Sequence, residues 1–371
     1  MKKIGKEILM LKTGKDNPRN GEGAFIRLKD GRIMYAYTEY VGNDWTDHAT
    51  ARISACYSSD EGESFGESRV LFEKPDDALN IMSVSLLRLG NGDLGVFYLE
   101  KILEGEVFRV LKILARSSDE GETFVHEEVP IKRGTRGVNN DRIVRLKSGR
   151  FIFPVANHSS TKINEIGPGV LDTYYSDDDA RTWNTSKNSV KSPHNDYTQF
   201  QEPGIFELPD GRLWMYTRTG YGCQYQAFSE DEGETWSEAS PNWRFTSPDS
   251  PMLVKTVGKY TLAIFNPLPF TCISPLTEVW GSPKRTPFVC AVSRDGGLSF
   301  VDMSFNSRNG DYKSFVDDCY YIEDDLTNSY CYPAVIEVED GFLIAYYHSD
   351  GSDVCLNATK ITKVKFEEIE K

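Results

Sequence analysis

Residues able to move protons or hold charge stand at the ends of the short apolar runs of this chain, not within them. Glu22, Asp47 and His48 come first, followed by Asn80 and Glu100, then Asn139, Asn140, Asp141, Arg142 and His158. Glu202, Arg218, Arg285, Tyr332 and His348 complete the series. Brought to one place, they would suit a polyhydroxylated sugar. Asp, Asn and His exchange hydrogen bonds with hydroxyls, and Arg makes bidentate charged bonds to a carboxylate. An Asp or Glu near the reacting bond can carry a proton. A metal site from His48, His158 and Asp141 has no recognised ligand spacing, so no metal is expected.

What must gather them is a repeat. The phrase Ser58-Ser59-Asp60-Glu61-Gly62-Glu63-Ser64-Phe65 returns from Ser117, Ser176, Ser229 and Ser293. Its interval of roughly 50–65 residues is that of an array or propeller. Asp and Gly supply turn chemistry, Ser and Thr can bond the same loop, and the closing Trp or Phe can pack between neighbouring units. The third copy carries Ala180 in place of Gly, which predicts a distorted turn. Because these aspartates sit in turns at the rim, their role is structural. Between the phrases, apolar runs flank Asp30-Gly31, Asn91-Gly92, Ser148-Gly149, Asp210-Gly211 and Asp340-Gly341, which reads as hairpin grammar.

The pattern predicts an all-β chain folded as a six-bladed β-propeller of four-stranded antiparallel blades. Residues 1–371 read as one propeller domain. The segment Glu7–Leu11 should supply the outer strand of the last blade, beside 357–364, leaving few exposed edges. In such a ring, one end of the central tunnel receives the start of each innermost strand and the end of the second. That rule selects the residues named above.

The net charge of −14 and the pI near 5.0 disfavour a nucleic-acid partner. No apolar run is long enough for a membrane span or a signal peptide, so the expectation is a cytoplasmic protein without a membrane partner. Seven scattered cysteines without paired spacing fit reduced thiols.

The repeated phrase resembles the Asp-box, or BNR repeat, of the sialidase superfamily, over nearly the whole chain. Gln201-Glu202-Pro203-Gly204 with Trp214-Met215-Tyr216-Thr217-Arg218 looks like the fourth blade of a bacterial exo-sialidase. Lys284-Arg285-Thr286-Pro287 looks like the next blade's arginine segment, and Tyr330-Cys331-Tyr332-Pro333-Ala334 like the last-blade tyrosine segment. The resemblance implies an exo-acting retaining glycoside hydrolase with a tyrosine nucleophile and no cofactor. A phenol activated by a glutamate avoids the repulsion that a carboxylate nucleophile would meet at the carboxylate of sialic acid. Carried over, Tyr332 is the nucleophile and Glu202 its base. Arg218 and Arg285 are two of three carboxylate-binding arginines. Asp47 is the acid/base, with Asp44 competing in the same loop, and Tyr330 shares the strand face of Tyr332 at period two. Arg142, Glu22, Asp141, His158 and His348 are expected around the sugar.

One departure stands out. The family's first-arginine position falls on Gly21, within Gly21-Glu22-Gly23. Arg19 or Arg142 could replace it, or the sugar could differ, since Glu22 suits a neutral hydroxylated sugar better than a second anion. The leading reading is removal of a terminal sialic acid or related acidic sugar from a glycan. The alternatives are another exo-glycosidase or a polysaccharide lyase on uronic-acid or rhamnose glycans, and a carbohydrate-binding propeller without catalysis. Loops 163–169 and 267–287 should set linkage and aglycone.

Overall fold

The glycines of the first four hairpin turns, Gly31, Gly92, Gly149 and Gly211, take φ of 87–96°, the left-handed turn geometry their Asp-Gly, Asn-Gly and Ser-Gly pairs favour. The computed structural model describes residues 1–134, 137–158, 169–194, 200–268, 285–300, 318–325, 328–349 and 356–370. The two loops expected to set linkage lie almost wholly outside these residues.

Six antiparallel sheets follow one another along the chain. Blade 1 comprises Asn20–Arg27, Ile33–Tyr40, Ala51–Ser58 and Arg69–Phe72. Blade 2 comprises Ala78–Arg88, Leu94–Glu104, Val107–Ser117 and Val125–Glu128. Blade 3 runs Val144–Arg145, Phe151–His158, Gly169–Ser176 and Asn184–Thr185, with Val190–Lys191 also on the third strand. Blade 4 comprises Gln201–Glu207, Leu213–Arg218, Cys223–Ser229 and Ser240–Thr246. Blade 5 comprises Leu253–Val257, Tyr260–Phe265, Phe288–Ser293 and Cys319–Glu323. Blade 6 is Tyr330–Val338, Gly341–His348 and Ala358–Lys365, completed by the N-terminal strand Lys6–Leu11. Closing the ring with both chain ends pairs an edge that would otherwise stay open. The chain is thus an all-β six-bladed propeller, and no helix among the described residues is long and apolar enough to cross a membrane.

The apolar residues of each strand face the neighbouring blade, so among the described residues six clusters fill the seams, one between each adjacent pair of blades, beside a small seventh of Tyr40, Ala49 and Ala51. The aromatic that closes each repeated phrase fills these seams. Phe65 packs between blades 6 and 1, Phe124 between 1 and 2, Trp183 between 2 and 3, Trp236 between 3 and 4, and Phe300 between 4 and 5. Trp183, for example, meets Phe97 of blade 2 edge-on at 6.4 Å. Near the axis, the Asn140 amide of blade 3 donates to Gly23 O at 2.7 Å and to Tyr332 O and Pro333 O at 3.3 Å, which ties three blades together.

The repeated phrase builds the same hydrogen-bonded turn each time. In the first copy Ser58 Oγ donates to Asp60 Oδ1 at 2.8 Å, and Ser64 donates to the same carboxylate through its N–H at 3.0 Å and its hydroxyl at 2.5 Å. The third copy is not distorted as expected. Ala180 adopts φ 62° and its N–H reaches Ser176 Oγ at 3.0 Å, as the glycines of the other copies do at 2.8–2.9 Å. Its methyl is buried between blades 2 and 3, which offsets the left-handed strain.

These bonds favour the ionised form. The Ser64 hydroxyl holds Asp60 at about 2, and the Thr182 hydroxyl does the same for Asp178. An unfolded aspartate titrates near about 3.9. The stability these carboxylates contribute is therefore present above about pH 4 and is lost as pH falls through about 2. The urea midpoint should drop across that window, and Asp60→Asn should lower it at neutral pH while shallowing the acid drop. An identical acid profile in the variant would contradict the assignment.

Candidate active site

One backbone device aims side chains at the axis. The innermost strands of blades 1, 2, 4 and 6 each break register, between Gly21 and Ala24, Met82 and Ser85, Gln201 and Gly204, and Cys331 and Ala334. The residue at each break is left-handed: φ is 52° at Glu22, 62° at Ser83, 50° at Glu202 and 55° at Tyr332. A bulge re-aims a side chain, and each such φ costs about 1–2 kcal/mol. All four residues line a single cavity, together with Asp47, His48, Lys101, Asn139 and His158.

Two of the four form a reactive pair. Tyr332 Oη donates to Glu202 Oε1 at 2.5 Å. Arg218 Nη1 lies 3.0 Å from Glu202 Oε2 and 3.5 Å from Tyr332 Oη, and Arg218 is held from behind by Asp249 at 2.8 and 3.2 Å. The Arg285 guanidinium stands 5.6 Å from the centre of the Tyr332 ring and donates to Cys331 Sγ at 3.1 Å. Burial, followed by the Glu202 charge, pushes the Tyr332 phenol well above its ordinary value, so the free site holds it protonated. A carboxylate within hydrogen-bond reach can accept that proton when the phenol attacks, and two guanidiniums can offset the charge that develops.

Blade 1 supplies a second cluster around Arg19, whose guanidinium lies between the Tyr40 and Tyr347 rings at 4.8 and 5.1 Å. Its Nε donates to Tyr347 Oη at 2.8 Å, Nη1 to Asp47 Oδ1 at 2.6 Å, and Nη2 to Glu22 Oε1 at 3.2 Å. Gly21 explains why the arginine enters two residues early. A Cβ at Gly21 would sit 2.0 Å from the Tyr347 ring, so no side chain fits there. The loop bearing Asp47 is pinned from blade 2, where Asn80 donates to Asp47 O and Ala49 O at 2.9 and 3.0 Å and Lys101 Nζ also donates to Asp47 O. Arg19 beside it holds the Asp47 carboxyl well below the usual carboxylate range, whereas burial pushes Glu22 up.

The structure separates residues that the sequence left in competition. Asp44 folds back on Thr46 at 2.9 and 3.1 Å, while Asp47 lines the cavity. Tyr330 does not share the aspect of Tyr332: it is buried between blades 5 and 6, against Phe288 and Tyr346. The bulge at Tyr332 breaks the period-two alternation that paired them. His158 reaches the cavity; Arg218 and Arg285 stand against Glu202 and Tyr332 without lining it, and three further residues expected around the sugar lie away from it. Arg142 is fully buried, with Nε on Asn139 Oδ1 at 2.7 Å and Nη1 on Tyr216 Oη at 3.2 Å. Asp141 pairs with Lys255 of blade 5 at 2.7 and 3.0 Å. His348 lies 5.3 Å from the Tyr330 ring on the side of blades 5 and 6, where burial lowers its pKa.

Ser83, Lys101 and Asp249 were not anticipated. A signal for two of them is present in the chain: each aimed residue stands nine positions ahead of its hairpin glycine. The pairs are Glu22 and Gly31, Ser83 and Gly92, Glu202 and Gly211, Asp249 and Gly258, and Tyr332 and Gly341, whereas in blade 3 the left-handed residue, Asp141, stands eight positions ahead of Gly149. Asp249, like the four cavity residues, is left-handed, with φ 57°.

The BNR repeat-like domain family model matches residues 83–345. The curated anhydrosialidase of Macrobdella decora is 33% identical over 94 residues, a match that spans 25% of this chain and 11% of that protein. A protein of unknown function from Dyadobacter fermentans superposes with a TM-score of 0.69 at 16% identity, covering 97% of this chain and 99% of that one. The NanB sialidase from Streptococcus pneumoniae gives 0.69 at 14% identity, over 99% of this chain and 71% of that one. The leech intramolecular trans-sialidase complexed with 2,7-anhydro-Neu5Ac gives 0.68 at 14%, over 98% and 70%. At these identities the likeness carries the fold, while the family match covers most of the chain. This chain belongs to the BNR repeat-like domain family, and its six-bladed propeller has the same fold as those sialidase structures.

Proposed function

We propose that this protein is an exo-acting retaining glycosidase that removes a terminal sialic acid or related acidic sugar from a glycan. The observation that carries the reading is the Tyr332–Glu202 hydrogen bond of 2.5 Å between two residues that line one cavity, with Arg218 beside the pair and Arg285 over the Tyr332 ring. Tyr332 attacks the anomeric carbon while Glu202 takes the phenolic proton. Arg285 is the guanidinium best able to meet a substrate carboxylate. Among the described residues it has no carboxylate partner, and its buried Nε has no hydrogen-bond partner. Arg218 serves the pair and Asp249 first, with a donor left over for the substrate. In the reading taken from the family, Asp47 gives the leaving oxygen its proton.

A second reading, a neutral hydroxylated sugar, is favoured by one observation. Arg19 and Arg218 each already face two carboxylates, Glu22 with Asp47 and Glu202 with Asp249. Release of a fluorescent aglycone from an α-linked sialic acid conjugate, set against the same aglycone on neutral sugars, separates the two. The acidic-sugar reading expects turnover of the sialoside and a rise in KM of at least about 10-fold in Arg285→Ala. Turnover confined to neutral glycosides would overturn it.

A further inference from the structure

We infer that Glu22, not Asp47, is the residue that protonates the leaving oxygen. The inference rests on the reading above that the site cleaves a glycoside, and reassigns the proton donor within it. Glu22 occupies the same bulge position as Glu202 and Tyr332, lines the same cavity, and is 5% exposed. Asp47 has a side chain 59% exposed at the mouth of that cavity.

The two carboxylates share one guanidinium, with Arg19 Nη1 on Asp47 at 2.6 Å and Nη2 on Glu22 at 3.2 Å. Asp47 has the closer contact, and a second cation, Lys101, at its own carbonyl. Glu22 has instead the neutral hydroxyl of Ser83 on Oε2 and the anionic sides of Asp47 and Glu202 around it, with the Tyr332 phenol in the same cavity. A single guanidinium between two acids leaves one of them to be protonated. The buried acid with fewer cations loses least by taking the proton. Burial raises the Glu22 pKa, while Arg19 lowers that of Asp47, in agreement with that geometry. A group that must give up a proton at the moment of bond cleavage has to hold one beforehand, and of the two acids on Arg19 the one with the closer ion pair, Asp47, holds it less well.

In the first half-reaction the Glu22 carboxyl gives its proton to the glycosidic oxygen as the bond to the anomeric carbon breaks. Tyr332 Oη forms the new bond to that carbon and passes its proton to Glu202. In the second half, water attacks the anomeric carbon and gives a proton to the Glu22 carboxylate. Tyr332 departs and recovers its proton from Glu202. Arg19 and Ser83 act as positioning residues for Glu22.

Two measurements test this. The first, infrared difference titration of the whole protein, needs no substrate. A carboxyl band titrating above an ordinary glutamate, lost in Glu22→Gln and retained in Asp47→Asn, is expected. Absence of that band from the wild type, or its loss in Asp47→Asn alone, overturns the inference, whatever glycoside the protein accepts. The second compares leaving groups. With sialyllactose, Glu22→Gln should lose at least about 100-fold in kcat/KM, but under about 10-fold with an aryl sialoside whose leaving group needs no proton. That leaving-group dependence in Asp47→Asn instead would assign the proton to Asp47. Should Glu22→Gln fold poorly, Ser83→Ala, which removes only the neighbouring hydroxyl, should shift the titration of the same band. An unmoved band there overturns the assignment to Glu22. Failure of the wild type to cleave any sialoside would count against the proposed function and leave the infrared result to decide the proton's location.

Discussion

Tyr332→Phe should lower kcat on the aryl sialoside by at least about 10³-fold and leave the propeller folded. The substitution removes the one oxygen that can attack and keeps the ring. That ring still meets Tyr347 edge-on at 5.7 Å and still lies beneath Arg285. Glu202 keeps its 3.0 Å ion pair with Arg218, so no carboxylate is stranded. Incubation with 2,3-difluorosialic acid followed by peptide mass spectrometry should place the sugar on Tyr332 in the wild type and nowhere in the variant. Undiminished turnover, or a label on another residue, would remove Tyr332 from the role. Glu202→Gln should slow formation of the labelled species, because the phenol then has no base to accept its proton.

Arg218→Met should cost both activity and stability, and the two losses can be separated. Arg218 is the hub between Glu202 and Asp249, with 12% of its side chain exposed. Removing it leaves two carboxylates near the axis without their ion-pair partner, with only the more distant charge of Arg285 acting on them. Breaking a buried pair costs about 3–5 kcal/mol; Asp249 is 35% exposed, so solvent screening reduces the expected loss to about 2–3 kcal/mol. Adding Asp249→Asn should recover about half of that loss by removing the stranded charge, without recovering turnover, because the donor to Glu202 and Tyr332 is still missing. Chemical denaturation of the single and double variants, with kcat measured alongside, tests this. Turnover recovered together with stability would mean that Arg218 serves packing alone.

The repeat made most of the fold legible. Asp-Gly and Asn-Gly pairs between apolar runs give hairpins from local backbone chemistry, and a phrase that returns at a steady interval means a unit that buries its faces only against copies of itself. Those are short-range properties, so they are written in consecutive residues. The turn at Ala180 shows where the local rule stops. Alanine is unfavourable at φ 62° in isolation, but the seam between blades 2 and 3 buries its methyl and keeps the turn.

By itself, the sequence determined the six-bladed ring, its closure by the N-terminal strand, and the residue types available at one end of the axis. Tyr332, Glu202 and Asp47 line one cavity, with Arg218 and Arg285 against Tyr332. Only the tertiary structure decided which side chains turn inward and which charges meet. Tyr330 and Tyr332 are equivalent by alternation and are separated by a bulge. Arg142 follows the same placement rule as Arg218 but is fully buried, with Nε on Asn139 and Nη1 on Tyr216. No side chain fits at Gly21 because the Tyr347 ring, more than three hundred residues away in the chain, fills that space, and Arg19 meets the same tyrosine's hydroxyl instead. A charge chooses its partner by distance and burial, and in this propeller both depend on strands that come from opposite ends of the chain.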